Sequence, residues 1–73
     1  MDDAVKRAVA HVGSQSKLAR KLGYSQTSVY KWLNGMRKVP PEAVPKIVEL
    51  TGGRVQAHEL RPDLPQLFPP PEQ

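Results

Sequence analysis

The sequence predicts an all-α fold, a bundle of four to five short helices followed by an extended, Pro-rich C-terminal tail. Three observations carry this expectation. Apolar residues recur at three- and four-residue spacing in successive segments, and each segment is bracketed by a helix-starting residue and a Gly or Pro stop. Five of the last twelve residues are proline, which excludes regular helix or a central strand there. Seventy-three residues suffice for one domain with a single modest core, near the lower size at which a chain folds without disulfides or metal.

The first helix is expected over about residues 2–12. Asp2 and Asp3 suit its N-terminal end, Val5, Ala8, Val9 and Val12 repeat on one face, and Gly13 suits its close. Ser14 is an N-cap for a second helix at about 15–22, in which Leu18, Ala19 and Leu22 form the apolar stripe and Gly23 stands where a left-handed residue ends a helix. Tyr24 and the cap residue Ser25 lead into a third helix at about 26–34, with Val29, Trp32 and Leu33 inward and Asn34-Gly35 as its stop. Met36 to Pro40 form a basic turn, and Pro40-Pro41 can start a helix but cannot continue one.

The fourth helix buries Val44, Ile47, Val48 and Leu50 and ends at Thr51-Gly52-Gly53. Pro45 would remove one hydrogen bond and crowd the preceding turn, so this helix either begins near residue 42 or has a distorted first turn. One helical turn is expected around Ala57–Leu60. The chain thus divides into a helical domain, residues 1–61, and a tail, residues 62–73. Leu64, Leu67 and Phe68 leave two dispositions for that tail: a free end, or a segment that folds back on the core or laces a dimer.

Charge is segregated along the chain. The formal net charge is +4, but residues 4–41 hold eight basic side chains (Lys6, Arg7, Lys17, Arg20, Lys21, Lys31, Arg37 and Lys38) and no Asp or Glu. Residues 42–73 carry three basic and five acidic side chains. A polyanionic partner for the first half is the implication. The absence of cysteine removes disulfides and thiolate metal sites and fits a reducing cytoplasm. His11 and His58 stand far apart with no supporting ligand cluster, so neither a metal nor another cofactor is expected. No apolar run approaches the roughly 18 residues of a membrane span, and no signal-peptide pattern opens the chain. An enzyme is not expected, because a cysteine nucleophile, a glycine-rich phosphate loop and a carboxylate pair close in sequence are all missing. RNA is disfavoured by the scarcity of aromatic residues free of packing duties.

The informative segment is SQSKLARKLGYSQTSVYKWLNG, residues 14–35. Two short helices joined by a tight turn cross steeply, which requires a small residue at their closest approach, a Gly in the turn and an apolar clamp on the second helix. Ala19, Gly23 and Val29 stand at those offsets, and Leu18, Leu22, Tyr24 and Trp32 supply the apolar positions around them. The segment resembles the helix-turn-helix of phage Cro and repressor proteins. The chain as a whole is similar to the Cro-like, YdaS-type family of bacterial and prophage regulators. Gln15, Ala19 and Gly23, then SVYKWLNG, VP, TGG and HELRPD carry the resemblance, which covers roughly residues 3–64. It implies a lambda-repressor-like bundle with the motif at residues 14–34 and the second motif helix in the major groove of operator DNA. It further implies paired subunits on neighbouring half-sites and repression of a promoter in the bacterial cytoplasm.

With Val29 and Trp32 turned inward, Gln26, Thr27, Ser28 and Lys31 are expected to face base edges. A Gln pairs with adenine, a Lys donates to guanine, and Thr and Ser offer a methyl or a hydroxyl. Gln15 is expected to meet a phosphate at the start of the second helix. Tyr30, Asn34, Arg37 and Lys38 are expected along the DNA backbone. Lys17, Arg20 and Lys21 read as solvated charges that raise the local potential. The alternative function is an antitoxin-like interaction module that binds a protein partner through the tail, where RPDLP and PPP superficially match polyproline ligands.

Overall fold

The computed structural model describes residues 2–71; Met1, Glu72 and Gln73, which belong to the expected domain and tail, lie outside the described residues. The chain folds into α1 (Asp3–Val12), α2 (Gln15–Leu22), α3 (Gln26–Leu33), a 3-10 turn (Pro41–Ala43) that runs into α4 (Val44–Leu50), and α5 (Ala57–Leu60). Among the described residues there is no strand.

The first three helices begin on side-chain caps. Asp2 Oδ1 accepts from the Val5 N–H, Ser14 Oγ from the Lys17 N–H and Ser25 Oγ from the Ser28 N–H, each at 3.1 Å. A cap of this kind is worth about 1 kcal/mol, because it satisfies a donor that the helix itself leaves open. Asp2 is therefore the cap of α1 and not its first residue. Asn34 likewise lies one position beyond α3, which closes through Gly35: its N–H donates to the Trp32 carbonyl at 3.2 Å, and the Met36 N–H donates to the Lys31 carbonyl at 2.9 Å. This closure needs the left-handed backbone that Gly35 adopts, with φ of 71°.

Pro45 falls in the first turn of α4, where its missing N–H has no intrahelical partner to lose. The preceding residues wind as the tighter 3-10 turn, so a distorted start is what the chain adopts. Val44 and Ile47 are buried, but Val48 and Leu50 are only half-buried, a narrower inward face than the periodicity suggests. α4 packs against α5, which is a single helical turn. Thr51 ends α4 fully buried with its hydroxyl satisfied: Oγ1 donates to the Ile47 carbonyl at 3.0 Å and accepts from the Val55 N–H at 3.2 Å.

The core joins Val5 and Ala8 of α1, Leu18 and Leu22 of α2, Val29 and Trp32 of α3, Val39, Val44, Ile47, Val55 and Leu60. Trp32 is its largest member and meets Tyr24 edge-to-face, with ring centroids 5.1 Å apart. The Asp2 N–H donates to the Leu33 carbonyl at 2.8 Å, which ties the start of α1 to the end of α3.

Among the described residues beyond Arg61 there is no regular helix or strand, and of its two expected dispositions this segment takes the folded-back one. Two successive turns do this. The Leu64 N–H donates to the Arg61 carbonyl at 3.2 Å and the Leu67 N–H to the Leu64 carbonyl at 3.1 Å. Pro62 and Pro65 occupy the second position of each turn, where their restricted φ is already suited to the bend. Phe68 is thereby delivered, half-buried, onto the core. No helix among the described residues is long and apolar enough to cross a membrane.

Candidate nucleic-acid interface

α2 and α3 are joined by three residues, Gly23 to Ser25. The Gly23 and Tyr24 N–H groups both donate to the Ala19 carbonyl at 2.9 Å. Gly23 has φ of 80°, and a Cβ built there would meet nothing within 4 Å, so glycine is required for its conformation and not for space. Ala19 is buried at the approach of the two helices, and Leu18 and Leu22 seat α2 on the core. The tight turn and the small residue therefore fix how α3 is presented.

On α3, Val29 and Trp32 are 0% and 1% exposed, which turns the opposite side outward. Gln26 and Thr27 are exposed, Tyr30 is 51% exposed, and Lys31 is half-buried. Gln15, from the first turn of α2, joins Gln26, Thr27 and Tyr30 around an open groove of about 260 Å³. Thus the structure gathers Gln15 and Tyr30, expected only along a DNA backbone, with two of the four residues expected at base edges. Tyr30 stands four residues after Gln26 and three after Thr27, a spacing that already puts all three on one side of a helix.

Ser28 is placed differently from Gln26 and Thr27. It sits half-buried on the flank of α3, and its Oγ lies 3.0 Å from Ser25 Oγ while its N–H bonds the same atom. Its hydroxyl belongs to the helix cap because the cap residue three positions earlier is also a serine. Asn34 is exposed, but its Nδ2 donates to the Tyr30 carbonyl at 2.9 Å and helps close α3. Arg37 is exposed in the following turn, whose backbone bonds back to the Lys31 carbonyl. Lys38 is exposed too, with its Nζ 3.1 Å from Asp63 Oδ2.

The electrostatics are one-sided. Among the described residues the ion pairs are Arg7 with Asp3 and Glu59, and Asp63 with Lys38 and Arg61; none involves a cation of α2 or α3. Lys17, Arg20 and Lys21 line, with Val12, a second open groove of about 320 Å³. No group of three or more His, Cys, Asp or Glu side chains among the described residues is placed to hold a metal.

A tight-turned pair of helices, the second locked by its buried side and polar on its outer side, defines a helix-turn-helix bundle. The chain belongs to the YdaS family: that family's model, described as bacterial toxin YdaS, matches residues 5–68. It is 49% identical over 59 residues to the putative transcriptional regulator YdaS of Escherichia coli (strain K12), a match that covers 81% of this chain and 60% of that protein. The chain therefore spans less than two thirds of that relative. It is 34% identical over 65 residues to the regulatory protein cro of Pseudomonas phage D3, covering 89% of each. No solved structure gives a significant match.

Proposed function

We propose that the chain is a sequence-specific double-stranded DNA-binding regulator of Cro type that represses a promoter, with α3 lying in the major groove. The observation that carries this reading is the locking of α3: Val29 and Trp32 fix one side of the helix, so the row Gln26, Thr27, Tyr30 and Lys31 is presented on a rigid, basic surface. The names of the two relatives, a transcriptional regulator and a Cro protein, support it.

In this reading Gln26, Thr27 and Lys31 meet base edges, with Ser28 at the margin of the contact, and Gln15, Tyr30, Asn34, Arg37 and Lys38 hold the sugar-phosphate backbone. Two copies occupy neighbouring half-sites as a homodimer on a cytoplasmic operator. Residues 1–61 form the binding module and residues 62–73 its appendage, and no catalysis is assigned to either.

Selection from random duplexes, with stoichiometry measured on the winning sequence, tests this reading. A palindromic site bound by paired subunits, with nanomolar-class affinity that falls steeply with salt, is the expected result. Failure to enrich any sequence overturns it. A second reading, an antitoxin-like module that binds a protein partner, draws on the family's description as a toxin. A stoichiometric protein complex that forms unchanged with Lys31→Ala, in a chain that selects no duplex, would favour that reading instead.

A further inference from the structure

Arg61-Pro62-Asp63 carries part of the family resemblance and touches the interface just described only at Lys38. Its geometry is specific. Arg61 Nε and Nη2 donate to Asp63 Oδ1 and Oδ2, both at 2.9 Å, and the remaining nitrogen, Nη1, donates to the Val39 carbonyl oxygen at 2.9 Å. The Arg61 side chain is 13% exposed and Val39 is fully buried, so the two-pronged pair is anchored to the loop between α3 and α4. Asp63 Oδ2 also accepts from Lys38 Nζ in that loop, and the Lys38 side chain is 69% exposed. Hydrogen bonds from Arg61 first and Lys38 second hold the Asp63 carboxyl well below the usual carboxylate range, so it is charged at neutral pH. An anion gripped at once by a guanidinium fork and an ammonium is placed as a phosphate would be.

We propose that Asp63 is a built-in phosphate stand-in: in the free protein its carboxylate occupies Lys38, and the DNA backbone displaces it to reach that ammonium. This rests on the DNA-binding reading above. The two links to Asp63 are unequal, and the inequality decides which one opens. The Arg61 link is bidentate and comes from a side chain only 13% exposed, whereas the Lys38 link is a single exposed pair of the kind that contributes little in water. A duplex phosphate therefore takes Lys38 and leaves Asp63 on Arg61. Because phosphates carry no sequence information, a carboxylate held beside them lowers affinity for every duplex alike.

The test is a double-mutant cycle on the full chain, Asp63→Asn and Lys38→Met singly and together, against the selected operator and a random duplex over a series of salt concentrations. Asp63→Asn is expected to tighten both duplexes about two- to five-fold, the size of one exposed ion pair. It should also steepen the logarithmic salt slope by up to about one. With Lys38→Met already present, Asp63→Asn should leave affinity unchanged. Equal effects in both backgrounds, or weaker binding in Asp63→Asn, overturn the proposal. A measurement on the unmodified chain guards against a variant that folds poorly: the Lys38 Nζ to Asp63 contact, followed by NMR, should vanish when random duplex is added, and its persistence in the complex also overturns the proposal. A wild-type chain that binds neither duplex overturns the DNA-binding reading itself, and this inference with it.

Discussion

The α2–α3 face and the side built from α1, α5 and the Pro-rich segment both carry basic residues, but they use them differently. On the second side Arg7 stands between Asp3 and Glu59, and Arg61 is held by Asp63 and the Val39 carbonyl. On the first, Lys17, Arg20, Lys21 and Lys31 have no carboxylate partner among the described residues. A cation answered by its own carboxylate joins segments and projects little field, whereas one left unanswered attracts a polyanion. Lys38 sits at the border of the two regions and is answered by Asp63.

The comparison breaks most completely if the shared core is removed. Trp32→Ala should cost about 3–5 kcal/mol, since it empties the largest core position. That is a large share of the roughly 4–11 kcal/mol available to a domain of this size. Thermal denaturation should show a chain that is largely unfolded or melts far lower, with both faces lost together.

The next effect separates residues within the α2–α3 face. Lys31→Ala should lower operator affinity by about 1–3 kcal/mol and relax preference at particular base pairs. Arg37→Ala should weaken operator and random duplex equally and reduce the salt slope by about one. Identical behaviour of the two variants across sequences would show that Lys31 reads no base.

The smallest effect lies on the paired side. Arg7→Met should lower stability by at most about 1 kcal/mol, because its ion pairs are partly exposed, and should leave DNA affinity unchanged. Acid titration sharpens this. The Gln56 N–H first, and then Arg7, hold the Glu59 carboxyl below its usual value. A carboxyl with a lowered folded-state pKa contributes stability that is present above its unfolded value, about 4, and is lost as pH falls through the lowered one. The Arg7→Met chain should therefore lose less stability than wild type over that acid range, measured by denaturant midpoints at each pH.

How legible these features were in the sequence depends on distance along the chain. The caps Ser14 and Ser25, the stops at Gly23 and Gly35, and the inward turn of Val29 and Trp32 can all be read directly, whereas Asp2, expected inside α1, is its cap. Ser28 shows a local competition: Ser25 and Ser28 lie one turn apart, so the hydroxyl expected at a base edge also lies within hydrogen-bond reach of the cap. That Tyr30, expected along the DNA backbone, shares a groove with Gln26 and Thr27 follows from its spacing to them, but not from its residue type, since an aromatic fits a core as readily as an exposed groove. The turns at Pro62 and Pro65 follow from proline's fixed φ, yet an identical pair of turns could lead away from the domain. Nothing local in the sequence shows that Phe68 lands on the core.

The sequence by itself set the four main helices, the Ser14 and Ser25 caps and the inward side of α3, because each rests on interactions that close within about four residues. Only the tertiary structure decided which charges are answered. The Arg61 to Val39, Lys38 to Asp63 and Arg7 to Glu59 links span 22, 25 and 52 residues. Such partners meet only after packing has fixed the helices and the folded-back tail, and local spacing holds no record of that arrangement.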